Sequence, residues 1–290
     1  MLHLSAASLS FASALEFFFY PAWLRTSEGL AALSSLLAVG GYAAAFAGFL
    51  HATPRRRLLG LAGIFFAASG AAGAADHVVR SVEYTTHPVG GKFQAAEIVG
   101  AAGSLAFVAA GVVVAVAFLS SREGRRRDLV LGWAAVALVA YFCLTFVSLL
   151  LYAIAYSDLH APSGVASGLG VQAAGFAVAV GGAVVAARAF LRSDPDGEWQ
   201  RLAHRDGLLA EAATIVGFGS LGTAIGAMVY AGALSDLETD TKQLATNWLS
   251  GVSYLGLACA AICAGVAFRA SRRELEQRDG SDPAAFADPG

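Results

Sequence analysis

Ionisable side chains inside or beside long apolar stretches are the residues of this chain most able to do chemistry. Burying an ionisable group in hydrocarbon is costly, so such a residue is a functional-site hypothesis by default. Glu97 and Glu211 lie a few residues inside apolar stretches, while Asp76 and His77 lie at the end of another. A proton or cation path could use these carboxylates. Each could equally reach the membrane surface or pair with a neighbouring arginine.

Helical spacing gives two of these carboxylates expected surroundings. Gly100 and Ser104 follow Glu97 by three and seven residues, so they share its helix face, and Glu97 is predicted to point into a helix bundle. Asp76 and Arg80 are four residues apart, which is the spacing of a favourable ion pair on one helix. They could form a functional site, or they could belong to a helix that extends past the membrane and carries surface ion pairs.

Histidines suggest a metal-dependent alternative. The end of the second apolar stretch holds Asp76, His77, Arg80 and Glu83, and the predicted outer loops contribute His87, His160, Asp158 and Asp236. Together these residues could form a metal or anion site, although their spacing follows no known ligand pattern. The sequence therefore leaves both the metal and any other cofactor unidentified.

Composition indicates that much of this chain faces lipid. Of its residues, 57% are hydrophobic and 14% are charged, against roughly 25% charged residues in an ordinary soluble domain. A net charge of −2 gives no general attraction to nucleic acid. The three cysteines all lie within apolar stretches and are interpreted as small packing residues, not as a disulfide framework.

Seven stretches are long and apolar enough to be transmembrane helices, which need about 20 residues each. They cover residues 29–51, 58–77, 95–119, 129–156, 164–187, 208–233 and 247–269. The predicted fold is an all-α, polytopic membrane helix bundle with about seven transmembrane helices. Residues 29–270 form this seven-helix domain, residues 1–28 form an N-terminal interfacial segment or an additional span, and residues 271–290 form a disordered cytoplasmic tail.

Arginines predict the orientation of the bundle. The loops after the first, third and fifth stretches, and the C-terminal tail, are rich in arginine, whereas the other loops carry little positive charge. Arginine-rich loops remain in the cytoplasm by the positive-inside rule. The prediction is a multi-pass protein of the cell membrane with its N-terminus outside and its C-terminus inside.

A glycine motif in the sixth stretch favours packing over nucleotide binding. Gly217, Gly219 and Gly222 match the G-x-G-x-x-G pattern of dinucleotide sites, but that pattern needs a preceding strand. Membrane helices use small residues to bring their backbones close together. These glycines therefore predict close helix contacts.

Three functions are compatible with these patterns. The first is a non-enzymatic sensor, accessory subunit or module that binds an apolar ligand, because the spans contain few polar groups and no catalytic constellation. The second is a proton- or cation-linked transporter that uses Glu97 and Glu211. The third is a metalloenzyme at the outer face that uses His77, His87 and His160. The expected partners are the lipid bilayer and either an apolar ligand or a membrane partner subunit, and no nucleic acid.

Overall fold

Five long helices make up most of the structure. The computed structural model describes residues 54–86, 94–120, 126–157, 162–191 and 203–230, with scattered residues between 11 and 43 and between 245 and 267. The helices are α1 (Pro54–Thr86), α2 (Gln94–Leu119), α3 (Arg126–Ser157), α4 (Pro162–Leu191) and α5 (Ala203–Tyr230). Each contains a stretch long and apolar enough to cross a membrane.

These five helices confirm five of the predicted stretches as long apolar helices. The helices α1 to α4 extend past their predicted stretches at one or both ends, whereas α5 begins five residues before its stretch and ends at Tyr230, three residues short of it. A shorter apolar helix covers Trp248–Cys263, within the predicted seventh span. Only scattered residues of the predicted first span, 29–51, are described, and these are helical. Nearly all of the predicted segment 1–28 and all of the predicted tail 271–290 lie outside the described residues. The count of seven spans and the orientation remain predictions.

Consecutive helices pack side by side in opposite directions. The start of α2 lies beside the end of α1, and the middle of α2 lies beside the middles of α1 and α3. Near the middle of α2, a ring contacts Phe66 of α1 on one side and Phe142 of α3 on the other. The end of α3 likewise meets the start of α4, where Tyr152 lies against Gly168. The described helices therefore form an up-and-down array in chain order.

Small residues face the neighbouring helices and large apolar residues face away from them. Every buried hydrophobic residue in the described ranges is an alanine, while Trp133, Ile154 and Phe218 are more than 60% exposed. Helices in lipid gain little from hiding large apolar side chains from one another, because lipid tails are equally apolar. Their association depends instead on close backbone approach. This distribution agrees with a bundle surrounded by hydrocarbon.

Glycines mark the closest approaches between helices, including those of the G-x-G-x-x-G motif. A Cβ atom on Gly219 would lie 3.0 Å from the Ser253 carbonyl oxygen, and one on Gly222 would lie 2.6 Å from the Ser253 hydroxyl oxygen. A Cβ on Gly217 would lie 3.3 Å from the Ala183 Cβ. The motif lies within α5 and brings it close to α4 and to the Trp248–Cys263 segment, which confirms the packing interpretation.

Five rings form an aromatic layer that connects four consecutive helices. Phe66 of α1 meets Phe107 of α2 edge to face at 5.7 Å between centroids, and Phe107 stacks on Phe142 of α3 at 4.4 Å. Tyr141 lies beside Phe142 and contacts Phe176 of α4 at 5.4 Å. Such ring contacts stabilise a pair by roughly 0.5–1.5 kcal/mol beyond the area they bury.

The aromatic layer crosses the middle of the bundle on its inner side. Phe107 lies near the centre of α2, nine residues from Ile98, which is 52% exposed. Nine residues correspond to two and a half helical turns, so Phe107 and Ile98 point in opposite directions. Ile98 faces away from the neighbouring helices, and Phe107 therefore points toward them.

Candidate functional site

The last turns of α1 carry a charged face. Asp76, Arg80 and Glu83 are separated by four and three residues, so their side chains lie on one side of the helix. The helix continues well beyond the predicted end at residue 77, to Thr86. This extension confirms the interpretation of Asp76 and Arg80 as a pair on a continuing helix. It also presents all three side chains to the start of α2.

Arg80 connects the two helices electrostatically. Its Nη2 atom lies 3.4 Å from each carboxylate oxygen of Asp76 and 3.6 Å from Oε1 of Glu97. One guanidinium thus faces a carboxylate on its own helix and another on the next. The Arg80 side chain is 25% exposed and that of Asp76 is 15% exposed. We call Asp76, Arg80, Glu83 and Glu97 the charged cluster.

Glu97 is the most deeply buried member of the charged cluster. Only 6% of this residue is exposed, and its helix neighbours Ala101 and Ser104 are buried with it. The predicted inward orientation of Glu97 therefore agrees with the structure. Its second carboxylate oxygen, Oε2, is buried and has no hydrogen-bond partner among the described residues. A buried ionised oxygen without a donor is costly, which is typical of groups kept for function.

Glu83 caps the start of α2 from the neighbouring helix. The backbone N–H of Ala95 donates a hydrogen bond of 3.1 Å to Glu83 Oε1. The first N–H groups of a helix have no partner within that helix, and the positive end of the helix dipole attracts carboxylates. Glu97 lies in this same first turn of α2. Glu83 therefore holds α2 in a position that brings Glu97 to Arg80.

Gly100 gives the Asp76 carboxylate room against α2. A Cβ atom at this position would lie 3.8 Å from Asp76 Oδ1 and 3.5 Å from Leu149 Cδ1 of α3. The position thus lies between the charged end of α1 and an apolar side chain of α3. Three helices meet here, and the charged cluster lies where α1 and α2 border this meeting point.

The same end of the bundle holds the polar contacts between α3 and α4. The hydroxyl group of Ser148 donates to the Gly168 carbonyl oxygen at 2.9 Å, in a buried position. The hydroxyl group of Tyr152 donates to Gln172 Oε1 at 3.0 Å. Hydrogen bonds between membrane helices contribute about 0.6 kcal/mol each on average. The polar contacts between α1 and α2 and those between α3 and α4 therefore lie on the same side of the aromatic layer.

The opposite half of α1 to α4 is apolar. Residues 58–66 of α1, 108–119 of α2, 129–140 of α3 and 177–187 of α4 contain no charged, hydroxyl or amide side chain. The fifth helix, α5, begins at this end and differs, since it carries Glu211 and Thr214 there. The charged cluster is separated from this half by the aromatic layer. Glu97 and Phe107 are ten residues apart, which is about 15 Å along a helix.

The structure brings together only some of the predicted site residues. Asp76 and Glu97 meet through Arg80, and His77 follows Asp76 on α1, where it is half-buried. Glu211 is exposed on α5, near the start of that helix and thus at the other end of the array. His87 and His160 lie outside the described residues. Within the described ranges, no group of three or more histidine, cysteine, aspartate or glutamate side chains is placed to hold a metal ion.

Two residues of the charged cluster were absent from the predicted set of site residues. Arg80 and Glu83 were recognised as charged residues at the end of the second predicted span, and Arg80 as the helix partner of Asp76, but neither was predicted to contact Glu97 or α2. The spacing of Arg80 and Glu83 on α1 was visible in the sequence. Their contacts with Glu97 and Ala95 depend on how α2 lies against α1, which no spacing pattern specifies.

No protein-family model matches this chain, and comparisons with curated proteins and with solved structures found no match. The arrangement of its own residues is therefore the support for a function.

Proposed function

We propose that this chain is a non-enzymatic multi-pass module of the cell membrane, with the character of a sensor or accessory subunit, whose site is the charged cluster. The observation that carries this proposal is the ion-paired Asp76–Arg80–Glu97 group, which lies on one side of the aromatic layer. A partly exposed charged site at one end of a bundle is suited to binding and sensing.

The arginine distribution supports an outward-facing site. The charged cluster adjoins loop 87–93, whose only basic residue is Lys92, whereas the opposite ends of α1 and α2 adjoin arginine-rich segments. The positive-inside rule places those segments in the cytoplasm. In this proposal seven helices cross the membrane, the N-terminus is outside, the C-terminus is inside, and the charged cluster faces the exterior.

A transport function receives less support from the geometry. The two carboxylates proposed for a proton or cation path, Glu97 and Glu211, lie at opposite ends of the array, and Glu211 is exposed. A transporter typically binds its ion or substrate near the middle of the membrane. That level is occupied here by the aromatic layer. The metalloenzyme alternative likewise gains no support from the described residues.

We expect proteoliposomes containing the wild-type protein to show no proton flux above that of empty liposomes, because the aromatic layer and the apolar half block a hydrated path. The measurement is the response of a trapped pH-sensitive dye to an external acid pulse. Glu97→Gln and Glu211→Gln are expected to behave like the wild type. A wild-type flux that either variant abolishes would establish the transport alternative and overturn the proposed function.

A second candidate role, binding of a lipid chain, is favoured by an apolar groove. The groove lies between α2 and α3 in the apolar half and encloses about 450 Å³. Its lining consists of Val112, Ala115, Val116, Leu119, Ser120, Val136 and Val139. Val112 and Val116 are both close to half exposed on the outward face, where a membrane bundle meets lipid tails. The proposed occupant is a hydrocarbon chain of a surrounding lipid.

Filling the groove tests this second role. Val116→Trp is expected to reduce the amount of lipid that copurifies with the protein by about one molecule per chain. The matched control is Val184→Trp on α4, which is 60% exposed and lies outside the groove lining. Lipid per protein is counted by mass spectrometry after detergent exchange. Equal lipid retention in both variants and the wild type would exclude the groove as a lipid site.

A further inference from the structure

We propose that Glu97 is a proton-binding site, and that a proton on its Oε2 atom releases Arg80 from α2, so that the α1–α2 contact is a proton-controlled ion-pair switch. This inference rests on the proposed function, because it assigns the ligand of the charged cluster. The proton adds to a carboxylate oxygen and converts the negative Glu97 into a neutral carboxylic acid.

The charge balance of the cluster favours uptake of a positive species. The carboxylates of Asp76 and Glu83 and the guanidinium of Arg80 all lie near Glu97. On α2 itself, Glu97 is the only titratable residue. From α3, the described residues 145–155 contribute only Tyr152 as a titratable group, and His77 and Tyr84 are the further titratable residues at this end of α1. The described residues between 29 and 43, some of which pack against α1, contribute none. Within the charged cluster itself, three carboxylates therefore stand against one guanidinium.

The geometry selects a proton over a larger cation. A metal ion needs several oxygen ligands that converge on one point, and the described part of the chain holds no group of three or more suitable ligands. A proton, by contrast, needs only one acceptor atom to bind. Glu97 Oε2 is buried, and no described group donates a hydrogen bond to it, whereas Oε1 faces Arg80 at 3.6 Å. The proton is therefore assigned to Oε2.

The charged cluster contacts the surroundings at its own end of the bundle. The side chains of Arg80 and Asp76 are 25% and 15% exposed. The aromatic layer, in which Phe107 and Phe142 stack at 4.4 Å, lies further along α2 from Glu97. A proton can therefore reach the cluster from the end of the bundle at which the cluster lies.

Protonation of Glu97 removes the ion pair between Arg80 and α2 and leaves the ion pair between Arg80 and Asp76 within α1. Arg80 keeps both contacts to the Asp76 carboxylate, because that residue lies on the same helix. Its attraction to Glu97 disappears when Glu97 becomes neutral. The ion pair between α1 and α2 is lost, while the contact from Ala95 to Glu83 Oε1 is not directly affected. The change is local to one helix junction, and its two states differ by one proton.

Infrared spectroscopy of the full-length protein in lipid bilayers tests this switch. Because Glu97 Oε2 is buried and no described group donates a hydrogen bond to it, its protonated form should give a carbonyl band at higher frequency than the hydrated carboxylic acids of exposed residues. We expect this high-frequency band to grow as the pH is lowered, and we expect Glu97→Gln to remove it. Glu211→Gln, which changes an exposed glutamate at the other end of the array, is the matched control and should retain the band. Circular dichroism checks that each variant is helical. A band that persists unchanged in Glu97→Gln would overturn the assignment.

A second variant keeps the test decisive if Glu97→Gln does not fold. Glu97→Asp retains an acid but withdraws it from Arg80 by one methylene group, so the band should remain and its pH midpoint should move. An unchanged midpoint would contradict the proposal. The flux assay separates the two proposals. A Glu97 band that changes with pH, found together with proton flux, would contradict the proposed non-conducting function and leave the proton site in place. The absence of both the Glu97 band and proton flux would contradict the proton site and leave the proposed function in place.

Discussion

Arg80→Met is expected to lower the stability of the bundle more than any other single charge substitution at the predicted outer end. The change leaves Asp76 and Glu97 facing each other without the guanidinium that lies between them. Removing one member of a buried ion pair typically costs about 3–5 kcal/mol. Because Arg80 is 25% exposed, solvent screening reduces the expected loss to about 2 kcal/mol. Thermal unfolding in detergent, followed by circular dichroism, measures it.

Neutralising Glu97 as well should return much of the lost stability. The double variant Arg80→Met/Glu97→Gln no longer buries an uncompensated charge, so the two changes should be strongly non-additive. Arg188→Met on α4 is the matched control, since Arg188 is exposed and its loss should change the unfolding free energy by no more than about 0.5 kcal/mol. The ion-pair account fails if Arg80→Met is as stable as this control, or if the double variant is no more stable than Arg80→Met.

Gly168→Ala is the second substitution for which we expect a large effect. A Cβ atom at this position would lie 2.7 Å from Cε1 and 2.9 Å from Cδ1 of Tyr152. The ring would have to move, although its hydroxyl group is held by Gln172 and the Gly168 carbonyl oxygen accepts from Ser148. Overpacking of this kind typically costs about 1–3 kcal/mol. The observable is a lower unfolding temperature in detergent.

The neighbouring glycine provides the control for Gly168. No atom lies within 4 Å of a Cβ at Gly170, which is on the same helix two residues later. Alanine favours helix over glycine by about 1 kcal/mol, so Gly170→Ala should be neutral or slightly stabilising. Tyr152→Ala should relieve the clash in the double variant with Gly168→Ala. Equal effects of the two glycine substitutions would show that Tyr152 does not limit the approach of α3 and α4.

The helices of this chain were largely predictable, because hydrophobic length is a local property of the sequence. The predicted span 95–119 coincides with Gln94–Leu119 to within one residue. The predicted span 58–77 was nine residues too short at its C-terminal end, since α1 continues to Thr86. Apolarity marks the part of a helix that prefers hydrocarbon. The helix itself continues through Asp76 and Arg80, where the i,i+4 ion pair supports it.

The candidate site was less predictable, because it depends on the relative position of two helices. The sequence indicated that Glu97 faces inward and that Asp76 pairs with Arg80. That these groups share one cation depends on how α2 lies beside α1. No spacing pattern in the sequence predicted the aromatic layer, because Phe66, Phe107 and Phe142 become neighbours only after the helices have packed. Such contacts join residues that are distant in the chain.

Packing in chain order has a consequence for biogenesis. The extensive contacts among the described helices α1 to α5 join each helix to the one before it or after it. A helix released into the membrane during synthesis therefore finds its main partner already present. Structures dominated by such nearby pairings avoid the entropy of closing long loops. Each newly inserted helix can dock as soon as it arrives, so this protein can acquire its architecture at the pace of translation.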